Sequence, residues 1–350
     1  MTQSSRQHFT SVDALRGFAA LSVSLFHLGG AGLPKLASPL TTRLTSWGYT
    51  GVEVFFVISG FVIPFVMLKG AYHWRDAGQF LARRFIRIWP PSAILIALTV
   101  AQYAVVMHIG HGGHTGWTRL TVPGILANLL YAVPFTGQEW LNGILWTLSV
   151  EFQFYLFLAF AFPLLASNRA WLMLAGIASL LSSLLPLAGI FLFLKFSVYF
   201  AMGGAALLYR EQRIGRLVFV AVIAVMGGAA TVELGWLPTV FALATTLAIA
   251  FLPIRSRLFV FLGTISYSLY LVHMLVASTV EFLLVRAFDP VTAVERVVGQ
   301  LICIGAAIGG AWIFYLLVER HFVVWSQRFA GYLRGEQFAH PKKIIPSEGM

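Results

Sequence analysis

A chain of 350 residues that is 59% hydrophobic and only 11% charged, with a mean hydropathy of +0.82, lies far from the composition of soluble domains, about one quarter of which is charged. That balance excludes a water-soluble fold. It points to an all-α, polytopic membrane helix bundle, which escapes the usual size limit on one hydrophobic core. The net charge of +11 comes from Lys and Arg at the ends of apolar stretches, an arrangement that serves membrane orientation and argues against a nucleic-acid partner.

Ten apolar segments are long enough to cross about 30 Å of hydrocarbon. They cover roughly residues 11–30, 48–68, 90–107, 145–166, 171–187, 190–209, 217–235, 237–253, 258–284 and 297–318. Only the break from Pro186 to Gly189 parts the fifth from the sixth. With both termini assigned to the cytoplasm, seventeen of the 24 Lys and Arg fall inside. Lys35, Arg43, Arg119, Arg286 and Arg296 fall outside, while Arg16 and Lys195 lie within spans. This asymmetry supports ten spans with both ends cytoplasmic, in a bacterial inner membrane.

Arg6 followed by an apolar run resembles a signal peptide, but Asp13, Arg16 and His27 would spoil an ordinary signal core, so the first span is expected to stay. Residues 1–335 read as one integral domain with no separate soluble unit. From Arg320 to Phe338, Phe322, Trp325, Phe329, Tyr332 and Leu333 recur at helical spacing, as in an amphipathic helix on the cytoplasmic surface. The tail, 336–350, is expected to be disordered. Cys303, inside an apolar run, reads as a small buried hydrophobe.

Ionisable groups within hydrocarbon are costly and so point to function. The first span holds Asp13, Arg16 and His27. Arg16 and His27 are eleven residues apart, three helical turns plus about 20°, which sets them on one face with a rise of about 16.5 Å. A guanidinium near the inner end suits an anionic part of a substrate, and an imidazole further out suits general-base work. A bland alternative has Asp13 and Arg16 neutralising each other while His27 bonds a neighbouring helix. Arg83, Arg84 and Arg87 lead into the third span, where Arg84 and Arg87, at i and i+3, share a face and can clamp a phosphate; the same cluster also serves as a positive-inside anchor.

Glu151 stands about six residues into the fourth span, at a depth expected to match His27. Glu53 also falls toward the outer side and His273 lies mid-span, both candidates for the same cavity. Ser266, Tyr267 and Tyr270 read as packing and interhelical hydrogen bonds. His108, His111 and His114 recur every third residue, but Gly110, Gly112 and Gly113 argue against a helix, and no acidic or cysteine ligand is near, so no metal is expected.

Taken together, these residues identify a resemblance to the acyltransferase 3 family of bacterial membrane proteins over nearly the whole chain. It rests on Arg16 and His27 within ALRGFAALSVSLFH, on GVEVFFVISGF, on Arg84 and Arg87, on LSVEFQFY around Glu151, on SYSLYLVH ending at His273, and on LLVERHF. The resemblance implies that His27 is catalytic, that Arg16, Arg84 and Arg87 bind an acyl-CoA donor, and that Glu151 and Glu319 support function. One departure is His321, where the family usually has proline. The extracytoplasmic esterase-like domain of some relatives is not expected here.

The resulting expectation is an O-acyltransferase moving an acyl group, by default acetyl, from cytoplasmic acyl-CoA to a hydroxyl of a surface polysaccharide, glycolipid or lipid-linked sugar. His27 either removes the hydroxyl proton or carries the acyl group itself. Two rivals are a secondary transporter or flippase, which needs no CoA site, and a non-catalytic subunit of a polysaccharide export complex, which would tolerate changes at Arg16 and His27.

Overall fold

A computed structural model of the chain describes residues 3–30, 32–109, 120–167, 169–182 and 189–333. Helix α1 (Gln3–Gly29) is followed by α2 (Pro39–Thr45), a 3-10 turn (Ser46–Thr50), α3 (Gly51–Lys69) and α4 (Ala77–Ile109). Next come α5 (Val122–Leu129), α6 (Val133–Thr136), α7 (Leu145–Ser167), α8 (Arg169–Leu181) and α9 (Leu192–Arg210). The chain continues through α10 (Arg216–Leu234), α11 (Trp236–Phe251), α12 (Arg257–Thr264), α13 (Ser266–Phe288) and α14 (Ala293–Phe314). A π turn (Tyr315–Glu319) then leads into α15 (Arg320–Leu333). The molecule is a polytopic helical bundle, with no strand among the described residues.

Seven helical stretches among the described residues are long and apolar enough to cross a membrane, and they fall on the second, third, fourth, sixth, seventh, ninth and tenth expected segments. The first, fifth and eighth segments are helical too. Helix α1 has 27 residues, about 40 Å of rise, but carries Asp13, Arg16 and His27; α8 and α11 are shorter, at 13 and 16 residues. The histidine loop at His111 and His114, the break from Pro186 to Gly189 except Gly189 itself, and the tail 336–350 lie outside the described residues.

Two segments differ from expectation. The third begins at Ala77 and not at Pro90, because the helix runs through Pro90 and Pro91, leaving the carbonyls of Ile86 and Arg87 without their usual helical donors. The ninth is broken at Ile265 into α12 and α13, where the carboxylate of Glu319 supplies the acceptor that the new helix start needs. Helix α15 packs along α4, with its buried Ser326 beside an exposed Trp325.

Helix α1 is central, touching α3, α11, α12, α13 and α14. Two crossings are close because they are built on glycine. Gly17 and Gly263 press α1 against α12, each lying on the other helix's backbone at Phe259 and Asp13. Gly60 and Gly203 do the same for α3 and α9, at Phe200 and Val57. The far end of α1 is pinned by α13 and α14: Glu281 accepts from the N–H of Lys35 at 2.8 Å and of Leu36 at 3.2 Å, and Gln300 donates to the carbonyl of Gly29 at 3.3 Å. At the near end, Ser11 accepts from the N–H of Ile254 at 2.9 Å, and Lys69 pairs with Glu211 at 2.7 Å.

Gly203→Val drives a branched side chain into the α3 backbone and is expected to lower stability by about 3 kcal/mol, read as a lower melting temperature in detergent. Gly228→Ala, which meets nothing within 4 Å, serves as the control and should leave the melting temperature unchanged or slightly raised. Equal behaviour of the two variants would remove the close-crossing argument.

Candidate active site along the first helix

The polar residues of α1 belong to two separate groups, one at each end. At the near end Asp13 and Arg16 of α1 meet Arg84 and Arg87 of α4, Glu151 and Tyr155 of α7, and Glu319 of the π turn. Arg16 lies within electrostatic reach of Arg87, Asp13, Glu319 and Glu151. Three guanidiniums thus face three carboxylates, a balance that makes their burial in the bundle tolerable.

Each acidic group has a local holder. Tyr155, one turn along α7, donates its hydroxyl to Glu151. Glu319 accepts from Ser268 through both the backbone N–H, at 3.1 Å, and the hydroxyl, at 2.6 Å. Ser268 is the third residue of α13, where a helix has N–H groups without internal partners. The π turn adds a residue to the helical turn that carries Glu319, a distortion often found at functional sites.

The guanidinium of Arg84 lies 5.6 Å from the Phe80 ring centroid and 5.3 Å from that of Tyr155. This stacking holds the group without using its N–H donors. Among the described residues, none of Arg16, Arg84 and Arg87 forms an ion pair within bonding distance. Each guanidinium carries five donors, so the group has many to offer an anion.

At the far end a cavity of about 140 Å³ is lined by His27, Phe26, Tyr49, Glu53, Trp146 and Tyr270, with Val23, Val52, Gly143 and Ile144. Glu53 is only 7% exposed, and its Oε2 has no hydrogen-bond partner. Tyr270 is fixed by Thr147, with the two hydroxyls 2.7 Å apart, and by donation to the carbonyl of Ile144 at 3.2 Å. His273 stands behind His27, with ring centroids 5.3 Å apart.

The structure therefore places Glu53, not Glu151, in the cavity with His27. Glu151 is one turn, about 6 Å, further along α7 than Thr147, the residue that holds the cavity's Tyr270. Tyr270, read from sequence as packing and interhelical hydrogen bonding, makes that bond to Thr147 and is also part of the lining; the three-residue spacing of Tyr267, Tyr270 and His273 on α13 was the available signal for the second role. Tyr49 and Trp146 had no such signal. Arg16, Arg84 and Arg87 do come together.

A family profile described as an acyltransferase domain matches residues 9–316, which includes every residue of both groups except Glu319. The chain belongs to the acyltransferase 3 family. Among similar proteins, nodulation protein 10 of Rhizobium leguminosarum is 29% identical over 43% of this chain and 43% of its own length. A peptidoglycan O-acetyltransferase of Listeria monocytogenes is 30% identical over 44% of this chain and 24% of its own length. An acyltransferase of Streptomyces mycarofaciens is 30% identical over 48% of this chain and 44% of its own length. The matches thus span less than half of each of these relatives. No solved structure matches the chain. With its apolar helices and this membership, the protein is a multi-pass membrane protein.

Removing Glu319 should leave the start of α13 without its acceptor and the arginines under-compensated. Glu319→Ala is expected to cost about 3 kcal/mol of stability, and Glu319→Gln, which keeps an oxygen for Ser268, about half of that. Thermal unfolding in lipid nanodiscs measures the difference, and an unchanged Glu319→Ala protein would contradict it.

Proposed function

We propose that this protein is an O-acyltransferase of a bacterial inner membrane, taking an acyl group from acyl-CoA on the basic, cytoplasmic face and passing it to a hydroxyl of a cell-surface glycan or lipid-linked sugar. One observation carries the reading: an imidazole and a carboxylate with one unpartnered oxygen share a cavity at one end of α1, and three guanidiniums that form no ion pair within bonding distance among the described residues gather at the other. The two ends are about 16.5 Å apart along the helix, a rise that the extended pantetheine arm of coenzyme A can cover. The names of relatives called O-acetyltransferases, one of them of peptidoglycan, support acetyl as the group and a glycan as the acceptor.

In this reading Arg16, Arg84 and Arg87 hold the phosphates of the donor, because a planar fork that stays charged suits phosphate. Glu151 and Tyr155 keep Arg84 in place. The thioester reaches the cavity, where His27 removes the proton of the acceptor hydroxyl. Glu53 accepts a hydrogen bond from a second hydroxyl of the sugar, while Tyr49 and Trp146 provide flat apolar surfaces for its ring. The acceptor oxygen bonds the acyl carbon, the C–S bond breaks, and the proton passes from His27 to the thiolate.

Membrane vesicles given labelled acetyl-CoA and a surface-glycan acceptor provide the test. His27→Ala should lower transfer at least 1,000-fold while the protein stays inserted, as expected for loss of a general base. Arg84→Lys should raise the donor KM about tenfold with little change in kcat, since lysine lacks the stacked fork. Transfer that survives His27→Ala would sink the assignment. Passage of a glycan without acylation would favour a transporter.

A further inference from the structure

One buried titratable group is not used by the reaction above. His273, on α13, is fully buried. Its Nδ1 lies 3.0 Å from the carbonyl oxygen of Leu269 and 2.8 Å from that of Tyr270. A carbonyl can only accept, so Nδ1 carries the proton of the neutral ring and Nε2 is left as a bare lone pair. Nε2 is sealed from solvent and has no hydrogen-bond partner.

An orphaned acceptor inside a bundle costs about 1–3 kcal/mol, which an apolar side chain at the same place would avoid. Its neighbour is His27, whose ring centroid is 5.3 Å away with the two planes tilted by 34°. At that separation the ring edges are in reach of each other. His27 is also the titratable group whose charge acts on His273. Glu53, the carboxylate of the cavity, already belongs to the acceptor side in the reading above.

We propose that His273 is a positioning residue for His27, its bare Nε2 receiving the N–H of the His27 ring nitrogen that faces away from the acceptor. The inference rests on the acyltransferase reading, with His27 at the reacting centre. With one His27 nitrogen committed to Nε2, the other is the bare nitrogen that meets the hydroxyl, so the tautomer of His27 is set by the backbone carbonyls that set His273. When the acceptor O–H bond breaks, its proton goes to that bare nitrogen, and His273 stabilises the imidazolium. The new O–C bond forms, the thioester C–S bond breaks, and the thiolate takes the proton from the same nitrogen. The gap between the rings closes to a hydrogen bond in the reactive complex, where such contacts tighten.

Two substitutions separate this role from packing. His273→Asn keeps a donor for the two carbonyls but has no atom at the place of Nε2, and His273→Gln carries an amide oxygen out to that place. In purified protein in nanodiscs, His273→Asn is expected to lower kcat about 100-fold with both KM values unchanged, while His273→Gln stays within about tenfold of the parent. A structural role gives the reverse order, and that order, or a fully active His273→Asn, overturns the proposal.

Nitrogen-15 NMR of histidine-labelled parent protein tests it independently of any variant's folding. His273 should show a protonated Nδ1 and a bare Nε2 whose signal moves in His27→Ala. A protonated Nε2 overturns the proposal. If the parent protein transfers no acyl group, the acyltransferase reading fails first; if His27→Ala keeps full transfer, the role of His27 fails and this inference with it; if His27→Ala is inactive and His273→Asn is not, only the present inference fails.

Discussion

A guanidinium inside a lipid-shielded bundle keeps its charge only where protein groups replace the water it has lost, and the surroundings of Arg16 are organised for that purpose. Asp13 comes from its own helix, Glu151 from α7 and Glu319 from the turn after α14, while Ser268 and Tyr155 hold two of those carboxylates in place. None of these elements can move away without leaving charge unmatched. The glycine crossing of α1 and α12 brings the backbone close enough for Glu319 and Ser268 to meet beside α1. Packing and electrostatics here are one problem, solved at one point.

The far end of α1 works under a different condition. Around His27 the lining is aromatic and apolar, with Glu53 the single carboxylate among the residues that form the cavity. The 3-10 turn before α3 lies tightly on α1, where Gly48 meets the backbone of Ser22 and Gly51 that of Ala19, and this contact seats Glu53 beside His27. The loop after α1 is held by Glu281 and Gln300, so the imidazole stands on a fixed helix end.

Much of this was legible in the sequence, because hydropathy has few alternatives in a chain this apolar. Arg16 and His27 announce themselves by spacing, and Arg84 and Arg87 by theirs. The carboxylates were harder. Counted from the ends of the expected spans, Glu53 and Glu151 sit at nearly the same depth, and only the tight seat of α3 on α1 separates them. The break at Ile265 and the π turn at Glu319 were invisible, since both depend on a contact between residues about fifty positions apart. Tyr49 and Trp146 are ordinary aromatics until a histidine is placed across from them.

The two prolines of α4 separate the ends of the protein in one more respect. Arg84 and Arg87 lie just before Pro90 and Pro91, where two rungs of the helical ladder are missing. A continuous helix acts as a lever, carrying a tilt at one end to the other. A helix with two missing rungs acts as a joint, because it bends there first. The arginine-bearing segment is held by its charge partners, while the far half of α4 is held separately by α13, where Gln102 is tied to Ser278 at 3.0 Å and Thr279 at 2.8 Å. The two ends of α4 are thus joined by its most pliable turn and need not behave as one rigid rod.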